Sequence, residues 1–398
     1  MIILKNIVKF VVAIVLFALL AVIVTGVSFV YNFRHPQPFS GPDIFNPYRN
    51  IDTVHCWKRA NFHTHSRVEG ILNECEYSAE QTYDKYREFG YDIVTFSNHN
   101  QIIPHPAGDS LHMNLYEHGY NLFKFHKLVF GSESVNYFDN LLPLFTFQRQ
   151  TQIDMLSDEA DIVVLNHPLR TNATFDTHLQ RLSGYNIIEL DSGRSTENEY
   201  WDTALSAGNY SYALANDDLH YPDRSSAIAV RSNFLCTPTA HYSDIKKALL
   251  DGSFYAMRIA DYGSGNWDIK RKKNRQIPYI KNIGVTDSNV FISLSEKADS
   301  IKVTGQNHTT LLLATATDSV GYTMRTDDSY SRFTAYFADG EVIYVKCQRM
   351  GCCRWTKDGR AEEKVPEVRV AVPASAAARK NRIPSCSKYR KEFFYEKI

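Results

Sequence analysis

The chain has 398 residues, 44% hydrophobic, 13% aromatic and 22% charged, values that exclude a disordered or collagen-like chain and a disulfide-stapled mini-protein. Lys plus Arg and Asp plus Glu each number 44, which removes the strongly basic signature of a nucleic-acid binder. The zero is a cancellation: residues 348–398 carry 13 basic against 6 acidic side chains and leave 31 against 38 for the rest.

Residues 1–9 hold Lys5 and Lys9 and read as a short cytoplasmic N-terminus. Residues 10–31 then run 22 positions without a charge, about the length that crosses 30 Å of hydrocarbon. A transmembrane anchor is predicted, single-pass, with the rest of the chain exported to a periplasmic or other extracytoplasmic space. A cleaved signal peptide is the competing reading. Its apolar core is usually shorter and ends in a small-residue cleavage site, which this stretch lacks. Residues 32–54, with Pro36, Pro38, Pro42 and Pro47, read as an extended linker.

From 55 to 260, short β-branched or aromatic runs alternate with helical patterns, the signature of βα units. Ser78 is placed to cap a helix that Gly90 closes, followed by a strand at 91–96. Further strands are predicted at 128–130, 161–165, 186–190 and 212–215, with a helix ending at Gly208 before the last. Such alternation favours an α/β barrel or a doubly wound sheet. Residues 261–276 read as a basic linker, 277–347 as a small β-sandwich-like domain, and 348–398 as a basic, poorly structured tail. Seven cysteines form no recurrent zinc spacing and leave the redox compartment open.

The chemistry is carried by where the hydrophilic side chains fall. His63 and His65 end one strand two residues apart, so they project to one side and can share a cation. His99 follows the strand at 91–96, Glu133 the one at 128–130, and His167 the one at 161–165. Asp218 and His220 follow the last strand, again two apart. Active sites of α/β folds are built at the carboxyl ends of their strands. Imidazoles with carboxylates suit zinc, manganese or iron, and Glu133 is expected to bridge two ions. Arg170 and Arg194 lie where they can clamp a substrate phosphate. The histidines at 105, 112, 118, 178, 241 and 308 are read as packing or surface residues.

The motifs FHTH at 62–65, FSNHN at 96–100, GSE at 131–133, NHP at 166–168 and NDDLH at 216–220 resemble, in order, those of the PHP (polymerase and histidinol phosphatase) family, and within it the CehA-like metallohydrolases. The resemblance extends over roughly residues 57–260. It implies a distorted (β/α)7 barrel, and metal ligands at His63, His65, His99, Glu133, His167, Asp218 and His220. Glu69 stands one residue closer to the first motif than the family's acidic residue does. Two departures stand out. Asn98 occupies a position where the family has Asp, and no histidine lies between Glu133 and His167, where many members supply a ligand to a third metal. Two divalent ions, or three, are therefore expected.

The function this implies is hydrolysis of a phosphate ester by metal-bound water held by His63, His65, Glu133 and Asp218, on a small phosphorylated substrate. Alternatives are a CehA-like hydrolase of a carboxylic ester, amide or carbamate, and a non-catalytic metal-containing binding protein. Contact with the membrane is expected through the N-terminal helix alone, and the sequence predicts neither a nucleic-acid nor a protein partner.

Overall fold

The fold is taken from a computed structural model that describes residues 2–26, 28–33, 35–48, 57–70, 73–106, 113–171, 173–192, 195–196, 198–260, 265–350, 353–355 and 361–363. Helix α1, Ile2–Thr25, starts earlier than the uncharged stretch because nothing between Ile2 and Lys9 breaks a helix, and it stops before Gly26. Its segment Ile3–Val22 is long and apolar enough to cross a membrane, by length and composition. The last residues of the predicted span, which lie outside α1, and the stretch expected as a spacer both lie against the body. Phe29 N donates to Thr151 Oγ1 (3.0 Å), the Tyr31 hydroxyl to Asp154 Oδ2 (2.8 Å) and Gln37 N to Ala207 O (3.0 Å), and Phe39 is buried in the core.

The first half of the body comprises β1 (Asp43–Phe45), β2 (Trp57–Asn61), α2 (Ala79–Glu88), β3 (Ile93–Val94), β4 (Leu115–His118), β5 (Lys127–Phe130), α3 (Thr146–Glu159), β6 (Ile162–Leu165) and α4 (Asp176–Leu179). The second half comprises β7 (Ile187–Ser192), β8 (Ser195–Thr196), α5 (Asn198–Ser206), β9 (Tyr212–Asn216), β10 (Arg231–Cys236), α6 (Tyr242–Asp251) and β11 (Phe254–Arg258). Local chemistry sets several boundaries. Ser78 Oγ accepts from Gln81 N while Gln81 Oε1 accepts from Ser78 N (2.9 Å), a capping box that starts α2. Gly252, at φ +75°, ends α6, and a Cβ there would meet the Tyr212 ring at 2.1 Å.

Two curled sheets result. In one, β4, β5, β6, β7 and β8 are successive neighbours, with β9 also on β7. The pairs β6–β7 and β7–β9 are parallel, but β4–β5 and β5–β6 are antiparallel. The other sheet includes β3, β2, β10 and β11. Isolated parallel bridges, Thr64–Leu219 and His99–Glu117, join the two sheets at one end. Side chains from both, among them Phe62, Ile93, Leu128, Ile162, Ile187, Leu214 and Leu235, form one buried cluster between them.

Residues 267–274 of the expected basic linker are a helix, α7 (Trp267–Asn274), whose first turn is capped by Asn266 accepting from Ile269 N (3.1 Å). It docks through Asn274, whose backbone and side-chain oxygens both accept from the Arg59 guanidinium, and Lys270 is buried. Strands β12 (Ile280–Thr286), β13 (Asn289–Thr304), β14 (Thr310–Thr323), β15 (Tyr330–Tyr336) and β16 (Val342–Met350) follow. They continue the second sheet, because β16 pairs antiparallel with β11. Tyr255 and Met257 of β11 share a core with Ile301, Phe333 and Val345. A buried ion pair, Arg332 with Asp202 of α5, ties these strands to the first sheet's helices. Cys236 is disulfide-bonded and Cys75 is a buried free thiol. Of the expected tail, residues 348–350, which end β16, and strands at Cys353–Trp355 and Ala361–Glu363 lie within the described residues.

Candidate metal centre

Two chain crossings hold the first motif. His65 N donates to Leu219 O (2.9 Å) and Leu219 N to His63 O (3.3 Å), so the exits of β2 and β9 are stitched together and His63, His65, Asp218 and His220 share one mouth. His99 pairs with Glu117 at the end of β4, and Asn100 N donates to Glu117 O (2.8 Å). His167 follows β6. Both His167 (φ +24°) and Asp218 (φ +48°) are non-glycine residues with left-handed backbone, a conformation that persists only where the surroundings over-determine it.

The cluster is organised around Glu117. Its Oε2 lies 3.2 Å from His63 Nε2, 3.3 Å from His65 Nε2 and 3.2 Å from His99 Nε2. Its Oε1 lies 3.0 Å from His126 Nδ1 and 3.1 Å from His167 Nε2. Asp218 Oδ1 completes the first group at 3.2 Å from His63 Nε2 and 3.4 Å from His65 Nε2. His63 Nε2, His65 Nε2 and Asp218 Oδ1 are buried and have no hydrogen-bond partner. Leaving such atoms unpaired is costly. Their mutual spacing is that of ligands placed about 2.0–2.1 Å from one tetrahedral cation, which lie roughly 3.3–3.4 Å apart. The residues therefore fit a metal ion. Among the described residues, four groups of His, Asp and Glu with converging ligand atoms occur: His63, His65, Glu117 and Asp218; His63, His167 and Glu189; His65, Glu74 and His99; and His99, Glu117 and His126.

The surrounding contacts orient these groups. Glu189 Oε1 lies 2.9 Å from His63 Nδ1, and Glu189 Oε2 accepts from His167 N (3.1 Å), which turns the Nε2 edge of His63 toward Glu117. Glu74 Oε2 lies 3.1 Å from His99 Nε2 and 3.0 Å from His220 Nε2. Asn98, buried, accepts from Ser66 N (2.8 Å) and fixes the turn after His65. Burial pushes the Glu117 carboxyl up, but His99, His63 and His126 outweigh it and hold Glu117 well below the usual carboxylate range. Asp218 is likewise held well below its ordinary value, against burial, chiefly by His63 and His65. Burial lowers His65, with His220 adding to the effect, and lowers His126 to about 3, so both imidazoles are neutral, the form that ligates. Against burial, the carboxylates raise His63, His99 and His220.

The structure brings together His63, His65, His99, His167, Asp218 and His220. It does not bring Glu133. That residue is exposed at the carboxyl end of β5, and because β5 runs antiparallel to β6 this end lies opposite His167. The carboxylate at the centre of the cluster is instead Glu117, at the carboxyl end of β4. Glu69 is exposed and stands in none of the four groups, and the carboxylate beside His65, His99 and His220 is Glu74. Arg170 forms an ion pair with Asp218 Oδ2. Arg194 and His112 lie outside the described residues. Glu117, His126, Glu74 and Glu189 were not singled out from the sequence. His118, beside Glu117, points away and bonds to Phe138 O (2.8 Å). The cluster opens on a cleft of about 420 Å³ lined by Arg170, Glu74, Asp218, His220, Tyr221 and Arg224.

No family model matches the chain, and no curated protein matches it. A solved structure that matches is the crystal structure of a two-domain protein containing a predicted PHP-like metal-dependent phosphoesterase from Bacteroides vulgatus ATCC 8482. It is 14% identical, with a TM-score of 0.40, over 80% of this chain and 99% of that one. A likeness of that size decides neither fold nor activity.

Proposed function

We propose that this protein is a metal-dependent hydrolase acting on a phosphate ester, with its cations gathered around Glu117. The observation that supports it most is the convergence of three buried, unpartnered ligand atoms, His63 Nε2, His65 Nε2 and Asp218 Oδ1, on Glu117 Oε2. In this reading His63, His65, Glu117 and Asp218 would hold one ion. The other oxygen of Glu117, with His126 and His167, would hold a second, and Glu74, His99 and His220 a third. Mixed imidazole and carboxylate ligands suit zinc, manganese or iron. When bound, such cations supply an activated water and offset negative charge on a phosphoryl group.

The chain's own residues orient and select. Glu189 holds His63 with Nε2 facing inward, and Glu117 and Asp218 stay ionised at neutral pH. The cleft presents two guanidiniums. Arg170 is on Asp218, and the exposed Arg224 is held over the Tyr221 ring at 4.0 Å. Paired guanidiniums favour an anionic phosphate ester over a neutral carboxylic ester, amide or carbamate.

For the fold, the bridges Thr64–Leu219 and His99–Glu117 support the finer reading of β2, β9, β7, β6, β5, β4 and β3 as a distorted seven-stranded barrel of the PHP, CehA-like type. For location, α1 supports a single-pass anchor with the body exported, and the disulfide at Cys236 suits an oxidising compartment. The test is a substrate panel on the full-length protein loaded with zinc or manganese: p-nitrophenyl phosphate, its bis-ester and p-nitrophenyl acetate. Turnover of a phosphate substrate is expected. Turnover of the acetate alone, or of none with ions bound, contradicts the phosphoesterase reading.

A further inference from the structure

Leu122, Leu144, Phe145 and Phe175 are 63%, 51%, 55% and 60% exposed, and they come from three loops that the buried Arg149 and its neighbours hold together. Arg149 donates to Pro143 O (3.0 Å), Thr174 Oγ1 (3.0 Å) and Ala173 O (2.8 Å). Leu122 N donates to Leu141 O (3.1 Å) and Thr171 Oγ1 to Phe123 O (2.6 Å). Thr146 Oγ1 lies 2.9 Å from His178 Nδ1, which joins the starts of α3 and α4. Phe145 and Phe175 occupy the N-cap positions of those two helices and make no side-chain cap bond. Ser, Thr, Asp or Asn would serve there. Local stability does not account for an exposed phenyl ring at either position.

The chain's path says what lies next to this rim. Three residues separate the end of α1 at Thr25 from Phe29, which is bonded to Thr151 of α3, and the four Cα–Cα steps span at most about 14 Å. From Thr151 back to Phe145 the helix rises about 9 Å. With the 3.0 Å bond between Phe29 and Thr151, the rim at Phe145 is therefore within roughly 30 Å of the end of the apolar helix. Of the nearby charges, the Arg149 guanidinium is buried and consumed by the bonds above, while Asp176 stays exposed beside Phe175 with its Oδ1 accepting from Thr203 Oγ1 (3.4 Å). Exposed aliphatic and aromatic side chains beside a membrane helix are the composition of a surface that enters the interfacial layer of a bilayer.

We propose that the rim of Leu122, Leu144, Phe145 and Phe175 rests in the interface of the bilayer that α1 enters, so that the body lies on the membrane and is not held away from it. The proposal rests on the reading of α1 as a membrane span.

The test is tryptophan quenching by brominated lipid, with the full-length protein in proteoliposomes. Phe145→Trp and Phe175→Trp report on the rim. Tyr279→Trp, at an exposed site on β12's flank, is the dry-side reference, and Phe17→Trp within α1 reports on the span itself. Rim tryptophans at an insertion depth of about 5–10 Å should lose about half of their added emission, with no loss at 279. Rim tryptophans quenched no more than the one at 279, while the one at 17 is quenched, overturn the proposal and leave the span standing. An unquenched tryptophan at 17 removes the span, and the proposal with it. Unquenched rim tryptophans that are blue-shifted by self-association also overturn it.

Discussion

Replacing Glu189 by glutamine tests whether this carboxylate positions the centre. Its Oε1 lies 2.9 Å from His63 Nδ1 and accepts from Asn216 Nδ2 at 3.0 Å, while Oε2 accepts from His167 N at 3.1 Å. The tautomer in which His63 Nδ1–H donates to Glu189 leaves the Nε2 lone pair free for a cation. Glutamine offers one acceptor oxygen and one NH₂. With its oxygen toward His63 and Asn216, the NH₂ meets the His167 amide donor to donor; turned round, it meets both other donors. The better orientation leaves one buried N–H unpaired, about 1–3 kcal/mol, and removes the charge that assists the His63 bond. Loss of a carboxylate behind a ligating histidine weakens metal binding about 10–100-fold, or roughly 1.4–2.7 kcal/mol, the same range. Chelator competition with zinc or manganese on full-length wild type and Glu189→Gln measures this, with thermal unfolding recorded alongside. Affinity within about 2-fold of wild type would refute the positioning role.

Glu117→Gln should lose most bound metal and all metal-dependent turnover, since both oxygens are surrounded by imidazoles, whereas Glu133→Gln, at an exposed site, should match wild type; metal content by mass spectrometry separates them. Burial pushes the Lys127 ammonium down to about 7, against the pull of Asp139, while the unfolded chain keeps that proton to about pH 10.4. The unfolded state binds more protons between those limits, so the charging penalty is complete below pH 7 and is relieved as pH rises. Lys127→Met should therefore compare more favourably with wild type at pH 6 than at pH 9, by up to a few kcal/mol in denaturant unfolding, and a pH-independent difference refutes this. Arg332→Met leaves Asp202 buried beside the Tyr330 hydroxyl without its cation and should cost about 3–5 kcal/mol with turnover per folded molecule retained. A chain ending at residue 276 should show no cooperative thermal transition, because it strips β16 from β11.

Elements whose boundaries depend on neighbouring residues were legible in the sequence. Ser78 and Gly90 bracket α2, and Gly208 follows the end of α5 before β9, because capping is a local matter. The pairs His63/His65 and Asp218/His220 were legible for the same reason, since a spacing of two sets one face. Strand direction is not local. Assuming parallel strands put the expected ligand at the carboxyl end of β5; the reversal of β5 moves that role to Glu117 on β4 and His126 just before β5. Glu74 precedes α2 and carries no periodic signal, and Glu189 is buried within β7, where a carboxylate looks like an exception until His63 and the His167 amide are seen to bind it. The basic run at 270–273 gave no apolar period, and α7 exists because Arg59 and a capping asparagine hold it.

The central claim is a multinuclear centre on Glu117, and metal analysis of the full-length protein purified without added metal tests it most directly. The account predicts at least two zinc, manganese or iron ions per chain. Wild type that carries no metal and takes up none when offered zinc or manganese would contradict it.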